Sequence, residues 1–183
     1  MQKPIVLVAL FILMTQAAFS QKFFSRDAVL SFSSDTPMEK IEGTNKAGTC
    51  VLDTKTGKME WKVLVKGFKF EKALMEEHFN ENYMESTKFP NAVFKGEITN
   101  LSEINFSQDG KYTVKTKGTM TMHGVSKEIN VTGTLKVNKG QMEILSNFSV
   151  TCADYNIAIP SVVKDNIAKE IKVTVSAKLN AMK

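Results

Sequence analysis

The chain has 183 residues, of which 43% are hydrophobic and 23% charged, and its formal net charge at pH 7 is +5. This length and composition predict one globular domain with a substantial core. The lysines mostly alternate with apolar residues, and Arg26 is the single arginine. Because phosphate and base recognition relies heavily on arginine, the composition argues against nucleic acid as a partner.

The first 20 residues have the features of a secretory signal peptide. Lys3 supplies a positive charge, residues 5–14 form an uncharged apolar run, and Ala18 and Ser20 are small residues just before Gln21. We therefore predict cleavage before Gln21, which leaves residues 21–183 as one mature domain. The apolar run falls short of the roughly 20 residues that a spanning helix needs, so no stable membrane span is predicted.

The first third of the mature chain is predicted to form three strands. Alternation predicts a strand at residues 26–34, and a second strand follows at residues 48–52. Residues 39–47 are polar and indicate a loop or a weak edge strand between them. The longest predicted strand covers residues 58–70, with a bulge or bend at Gly67 where the buried face changes.

Residues 71–84 break the alternation and are predicted to form one short helix. Leu74, His78 and Asn82 recur at four-residue intervals, as expected for one helix face. We interpret the glutamates of this segment as a solvated face rather than as acid–base groups. His78 is expected to pack along the helix with its polar tip outward.

The second half of the chain is again mostly strand. Its centre is a long hairpin in which Tyr112 to Met122 and Ile129 to Val137 alternate in polarity around a polar turn at residues 123–127. Residues 153–170 are irregular. Further strands are predicted at residues 91–98, 101–106, 142–152 and 171–179.

About eight sequential antiparallel strands, each with one apolar face, must bury that face. A single open sheet would expose it, so the sheet either closes on itself or folds into two layers. We predict an all-β fold, an antiparallel up-and-down barrel of about eight strands with one short helix. A barrel of this size leaves room inside for one ligand. A β-sandwich is the alternative.

The inward side chains of this barrel are the candidates for a ligand-binding lumen. The alternative is that they pack only against one another and fill the barrel. Methionine adapts to irregular ligands, which slightly favours a lumen. The candidate lumen residues are Trp61, Val63, Val65, Met120, Met122, Val131, Leu135, Phe148, Val173 and Val175.

The sequence offers no catalytic or metal-binding motif. His123 is interpreted as a turn residue that bonds to the backbone, and no histidine or cysteine cluster with metal-ligand spacing is present. No nucleophile elbow occurs either. Cys50 and Cys152 are the only cysteines, and they are either a disulfide, which export permits, or buried free thiols. We predict no cofactor, no metal and no catalytic group.

Three stretches resemble the YceI-like family of lipocalin-like, polyisoprenoid-binding exported domains. Residues 88–96 resemble the family's aromatic-Pro segment and the strand after it. Residues 118–127 are similar to the family's strand that ends in His-Gly-Val-Thr-Lys, and this is the most specific match. Residues 155–160 and the final strand resemble the family's ending. The chain departs from the pattern at residues 75–81, where members often carry an Arg-Asp or similar polar pair.

The resemblance implies an exported barrel that binds, sequesters or transports an isoprenoid-type lipid in the cell envelope, without catalysis. The partner would be a polyisoprenoid, a quinone or another long-chain lipid. The implied compartment is the periplasm, with secretion as the alternative. A homodimer is left open. The competing hypothesis is an exported interaction or structural protein with a filled barrel and no ligand, and an enzyme ranks third.

Overall fold

The structure is a computed structural model that describes residues 22–182, so the predicted signal peptide and cleavage site lie outside the described residues. Within this range the strands form one closed barrel in which each strand pairs antiparallel with its neighbours in sequence, and β8 pairs with β1. The predicted all-β barrel is confirmed, and the sandwich is not formed. The strands are β1 (Lys22–Asp35), β2 (Lys40–Asp53), β3 (Lys58–Leu64), β4 (Asn91–Ile98), β5 (Gly110–Met122), β6 (Val125–Asn138), β7 (Gln141–Thr151) and β8 (Glu170–Ala181).

The helical segment lies between β3 and β4, as predicted. Helix α1 (Ala73–His78) is shorter than expected because the chain continues as a π-helical turn at Phe79–Tyr83. None of the residues of α1 is fully buried. Short 3₁₀ turns occur at Val65–Gly67, Leu101–Glu103, Cys152–Tyr155 and Ser161–Asn166.

Of the two alternatives for residues 39–47, a loop or a weak edge strand, the strand is formed: residues 40–47 are the first half of β2. This half pairs with β1 from Asp35–Lys40 onward. Its buried positions include Gly43 and Asn45 rather than large apolar residues, so the alternation is hidden in the sequence. A Cβ at Gly43 would lie 2.6 Å from the ring of Phe32, so the small residue leaves room for that ring.

The strand prediction for residues 58–70 holds only as far as Leu64. Strands β2 and β3 pair from Leu52–Met59 to Thr49–Lys62 and then separate. The side chain of Asn45 fills the gap: its Nδ2 donates to the carbonyl oxygen of Leu64 at 2.9 Å. The chain bends in the 3₁₀ turn Val65–Gly67, so the bend was expected at the correct place.

The strand predicted at residues 101–106 is absent, because Asn100 interrupts the pairing of β4 and β5. Its Nδ2 donates to the carbonyl oxygen of Thr113 at 2.9 Å, and its Oδ1 accepts from the backbone N–H of Lys115 at 2.9 Å. The chain after Asn100 turns across the end of the barrel. There Leu101, Ile104 and Phe106 pack against the core, and this end is closed.

We expect Asn100→Ala to lower the free energy of unfolding by about 2–3 kcal/mol, because it removes two hydrogen bonds that the buried Asn100 side chain makes with the backbone of β5. The exposed Asn147 is a matched control, since its Oδ1 accepts from Thr174 Oγ1 on the outer face. Asn147→Ala should cost less than about 0.5 kcal/mol. Urea unfolding followed by circular dichroism measures both values. Equal losses for the two variants would contradict the role assigned to Asn100.

The main core fills the closed end of the barrel, and a smaller cluster lies at the other end. The small cluster contains Val65, Met84, Tyr155 and Ile157. The main core contains Phe23, Ala28, Cys50, Leu52, Met59, Trp61, Ile98, Ile104, Val114, Leu135, Val137, Met142, Ile144, Ala177 and Leu179.

Both cysteines are free thiols, which decides between the two readings of the sequence. Cys50 belongs to the main core, whereas Cys152 packs against the smaller cluster. Burial raises the pKa of each thiol above its ordinary value. Both are therefore neutral at physiological pH and poor nucleophiles.

Across residues 22–182, no helix has the length and apolar character required to span a membrane.

Candidate functional site

The barrel encloses an apolar cavity of about 510 Å³ above the closed end. Its lower wall includes Met59, Val114 and Ile144, which are all buried. This volume falls within the range of sites that hold one small-molecule ligand. The cavity is therefore the candidate functional site.

The structure places nine of the ten candidate lumen residues on the cavity wall. The exception is Leu135, which is fully buried in the core of the closed end. Leu135 pairs with Ile144 and Tyr112, further toward that end than Val131. The alternation of polar and apolar residues shows which side chains of a strand point into the barrel. It does not show how far along the barrel axis each of them lies. The nine wall residues are Trp61, Val63, Val65, Met120, Met122, Val131, Phe148, Val173 and Val175.

Four phenylalanines form an aromatic cluster on the cavity wall that sequence reasoning missed. Phe32 comes from β1, Phe68 and Phe70 follow the 3₁₀ turn after β3, and Phe79 comes from the π-helical turn. Neighbouring ring centroids lie 5.0–5.7 Å apart. Three of these residues lie outside regular strands, where alternation gives no signal.

Two glycines shape the cavity wall around Phe94. A Cβ at Gly96 would lie 2.6 Å from Phe94 Cζ, and one at Gly118 would lie 2.8 Å from the same atom. These two glycines face each other across the β4–β5 pair. Their missing side chains leave the space that the ring of Phe94 occupies over this part of the sheet.

The cavity opens at the end that carries α1. Its exposed or half-exposed lining residues there are Glu39, Lys72, Leu74, His78 and Asn166. Asn166 Nδ2 donates to Glu39 Oε2 at 3.3 Å and so joins the 161–166 turn to the β1–β2 turn. His78 is exposed at this mouth, consistent with the predicted outward tip.

Two hydroxyl groups of the inner wall have hydrogen-bond partners within the protein. Thr116 Oγ1 donates to the carbonyl oxygen of Val131 at 3.0 Å, and Ser146 Oγ donates to that of Thr132 at 3.0 Å. Burial raises the pKa of the Tyr83 phenol, which also lines the cavity. The wall therefore presents mainly apolar and uncharged surface to a ligand.

His123 fixes the loop after β7 beside the mouth. Its Nδ1 lies 2.9 Å from the carbonyl oxygen of Tyr155, and its Nε2 lies 2.9 Å from Glu85 Oε2. A carbonyl oxygen can only accept, so Nδ1 donates to it. The predicted bond from His123 to the backbone is present, and the contact with Glu85 is additional. We call His123, Glu85, Tyr155 and Phe89 the histidine latch.

The turn between β5 and β6 explains why glycine follows His123. The two turn residues have positive φ angles, 50° at His123 and 74° at Gly124, as in the tight turns that suit β-hairpins. A Cβ at Gly124 would also lie 2.6 Å from the ring of Phe89. The ring centroid of Phe89 is 4.7 Å from that of His123. The latch thus joins all three sequence stretches that carried the resemblance.

Within the part of the chain that the structure describes, no group of three or more His, Cys, Asp or Glu side chains is placed to hold a metal ion.

A closed eight-stranded antiparallel barrel around an apolar cavity is the architecture of lipocalin-like proteins. The family model of the YceI-like domain matches residues 24–179. The chain therefore belongs to the YceI-like family, as the sequence motifs predicted.

Solved structures show the same fold at low sequence identity. A polyisoprenoid binding domain from Saccharophagus degradans, implicated in plant cell wall breakdown, is 12% identical with a TM-score of 0.76, over 88% of this chain and 99% of that one. BcnA from Burkholderia cenocepacia is 14% identical with a TM-score of 0.69, over 84% and 96%. The Campylobacter jejuni YCEI protein is 18% identical with a TM-score of 0.60, over 77% and 85%. The comparison with curated proteins found no match.

Proposed function

We propose that the protein binds one extended hydrophobic ligand of the isoprenoid type and sequesters or carries it in the cell envelope without changing it chemically. The observation that carries this proposal is the apolar cavity of about 510 Å³, which is closed at one end and open at the other. The similar Saccharophagus degradans structure, described as a polyisoprenoid binding domain, supports the ligand class.

The energetics of burial favour a branched hydrocarbon tail. Each methylene moved from water into the cavity contributes about 0.8 kcal/mol, so several isoprene units can offset the association cost. Aromatic rings and methionines such as Phe79, Met120 and Met122 provide a wall that adapts to a branched chain. A polyisoprenoid, a quinone or another long-chain lipid meets these conditions.

The ligand is expected to enter tail first. The closed end is filled by the main core, whereas Glu39, Lys72 and Asn166 lie at the mouth. A polar head group is therefore better solvated at the mouth than in the lumen. The predicted signal peptide supports an envelope location, with the periplasm as the proposed compartment and secretion as the alternative.

A non-catalytic role is supported by how the histidines are used. Both ring nitrogens of His123 are engaged by Tyr155 and Glu85, and His123 does not line the cavity. His78 is exposed at the mouth. Neither histidine is thus arranged as a general base for a nucleophile in the lumen.

The single tryptophan allows a direct test of ligand binding. Trp61 lies on the cavity wall with 7% of its surface exposed. Titration with geranylgeraniol should change its fluorescence with saturation at one ligand per chain. Dimethoxy-methylbenzoquinone, a quinone head group without a tail, should bind at least about a hundredfold more weakly, because it lacks the methylenes.

Native mass spectrometry of the protein purified from its own host provides the second measurement. A bound lipid of defined mass is expected. No adduct, together with no fluorescence response to geranylgeraniol, would contradict the proposal and favour a filled barrel that acts through its surface.

A further inference from the structure

Three strongly exposed apolar side chains surround the mouth of the cavity. Met38 is 73% exposed, Leu74 is 60% exposed and Val162 is 90% exposed. They come from the β1–β2 turn, from α1 and from the 3₁₀ turn Ser161–Asn166, respectively. We call these three residues the apolar rim. Their exposure is costly in water unless another surface covers them.

The positions of the apolar rim follow from its neighbours in the chain. Leu74 itself lines the cavity, Met38 precedes the lining residue Glu39, and Val162 precedes the lining residue Val163. The hydrogen bond from Asn166 to Glu39 holds the two turns side by side. Three separate segments thus place an exposed apolar residue in the lining of one opening or next in sequence to it.

Other exposed apolar residues do not form such a group. Leu64 at the end of β3 is 52% exposed, Leu145 on the outer face of β7 is 48% exposed, Met182 after β8 is 43% exposed, and Val51 on the outer face of β2 is 39% exposed. Single exposed residues of this kind are common on protein surfaces. The rim differs because its members are more exposed and share one opening.

Each apolar tip has a lysine two residues away. The pairs are Met38 with Lys40, Leu74 with Lys72, and Val162 with Lys164. A phospholipid surface has an apolar acyl layer beneath a layer of phosphates. The apolar side chain of each pair can enter the acyl layer while the lysine ammonium stays at the level of the phosphates. Acidic residues such as Glu77 and Asp165 lie in the same segments, so the charge suits zwitterionic phospholipids rather than a strongly anionic surface.

We propose that the mouth of the barrel docks on the surface of a phospholipid bilayer. The apolar rim inserts at the boundary between head groups and acyl chains, and Lys72 and Lys164 contact lipid phosphates, whereas Lys40 is paired with Glu42 at 2.8 Å. The cavity then opens directly onto the membrane, so a lipid can pass between bilayer and lumen without crossing water. The passage of cargo rests on the proposed function, whereas the docking does not.

Vesicle flotation tests the docking. The exported protein, purified without detergent, is mixed with vesicles of phosphatidylcholine and phosphatidylethanolamine and should float with them. Met38→Ser combined with Val162→Ser should lower the bound fraction by about tenfold, because the apolar area that enters the bilayer is lost. Leu145→Ser is the matched control on the outer wall and should leave flotation unchanged.

The outcomes separate docking from ligand binding. The docking would be overturned if the wild-type protein failed to float with the vesicles, which is the result expected if the apolar rim binds a protein partner instead. It would also be overturned if the double variant floated as well as the wild type. The double variant leaves the cavity lining intact and should bind geranylgeraniol like the wild type in the Trp61 titration. If the wild type floats but binds no prenol, the proposed function fails and the docking stands.

Discussion

Replacing Met120 with lysine is expected to lower the affinity for geranylgeraniol by at least about a hundredfold. Met120 pairs with Phe94 across β4 and β5 and lines the cavity. An ammonium group at this position must either keep water in the lumen or lose its hydration. Both outcomes make the binding of an apolar tail less favourable. A loss of about 3 kcal/mol in binding free energy corresponds to this change in affinity. The Trp61 titration measures it.

Lys115→Glu is the control on the same strand. Lys115 is exposed on the outer face of β5, so the change reverses a charge without altering the lumen. It should bind the prenol as the wild type does, and circular dichroism should show both variants folded. Equal affinity of Met120→Lys and Lys115→Glu would mean that the cavity is not the binding site.

Removing the latch histidine is expected to cause the largest loss of stability. His123→Ala should lower the free energy of unfolding by about 3 kcal/mol, because it removes one hydrogen bond to a carboxylate, one to a carbonyl oxygen, and the packing on Phe89. Alanine also tolerates the positive φ of this turn poorly. Urea unfolding followed by circular dichroism measures the loss.

His78→Ala is the control for the latch, since His78 is the other histidine and is exposed. Its substitution should change the free energy of unfolding by less than about 0.5 kcal/mol. A comparable loss in the two variants would show that the hydrogen bonds of His123 do not hold the loop after β7.

Most of the barrel could be predicted from the sequence because its strands alternate in polarity. The sequence did not decide between a loop and a strand where polar or small residues face inward, as in the first half of β2 with Gly43 and Asn45. The strand predicted at residues 101–106 was wrong, because the side chain of Asn100 replaces backbone partners there. A single asparagine that ends a strand cannot be distinguished by pattern from one in a loop.

The cavity wall was predictable in part for a different reason. Alternation shows which residues of β5, β6 and β8 face inward, and nine of the ten candidates lie on the wall. It does not show where the core ends and the cavity begins, so Leu135 was grouped with Val131. The contribution of Phe70 and Phe79 depends on how a turn and a helix fold over the mouth, which is a tertiary property.

The pairing of β8 with β1 has a consequence for how the barrel is assembled. The other pairings join strands that are adjacent in sequence, whereas Phe23 pairs with Ala181 across almost the whole described chain. The entropic cost of closing a loop grows with the logarithm of its length. Closing this loop therefore costs about 3 kcal/mol more free energy than closing a four-residue turn. The β1–β8 register also shifts between Phe24 and Val29, whereas β5 and β6 pair without a shift. We therefore expect this pairing to form last, and a barrel without it would expose its apolar interior along the gap between β1 and β8.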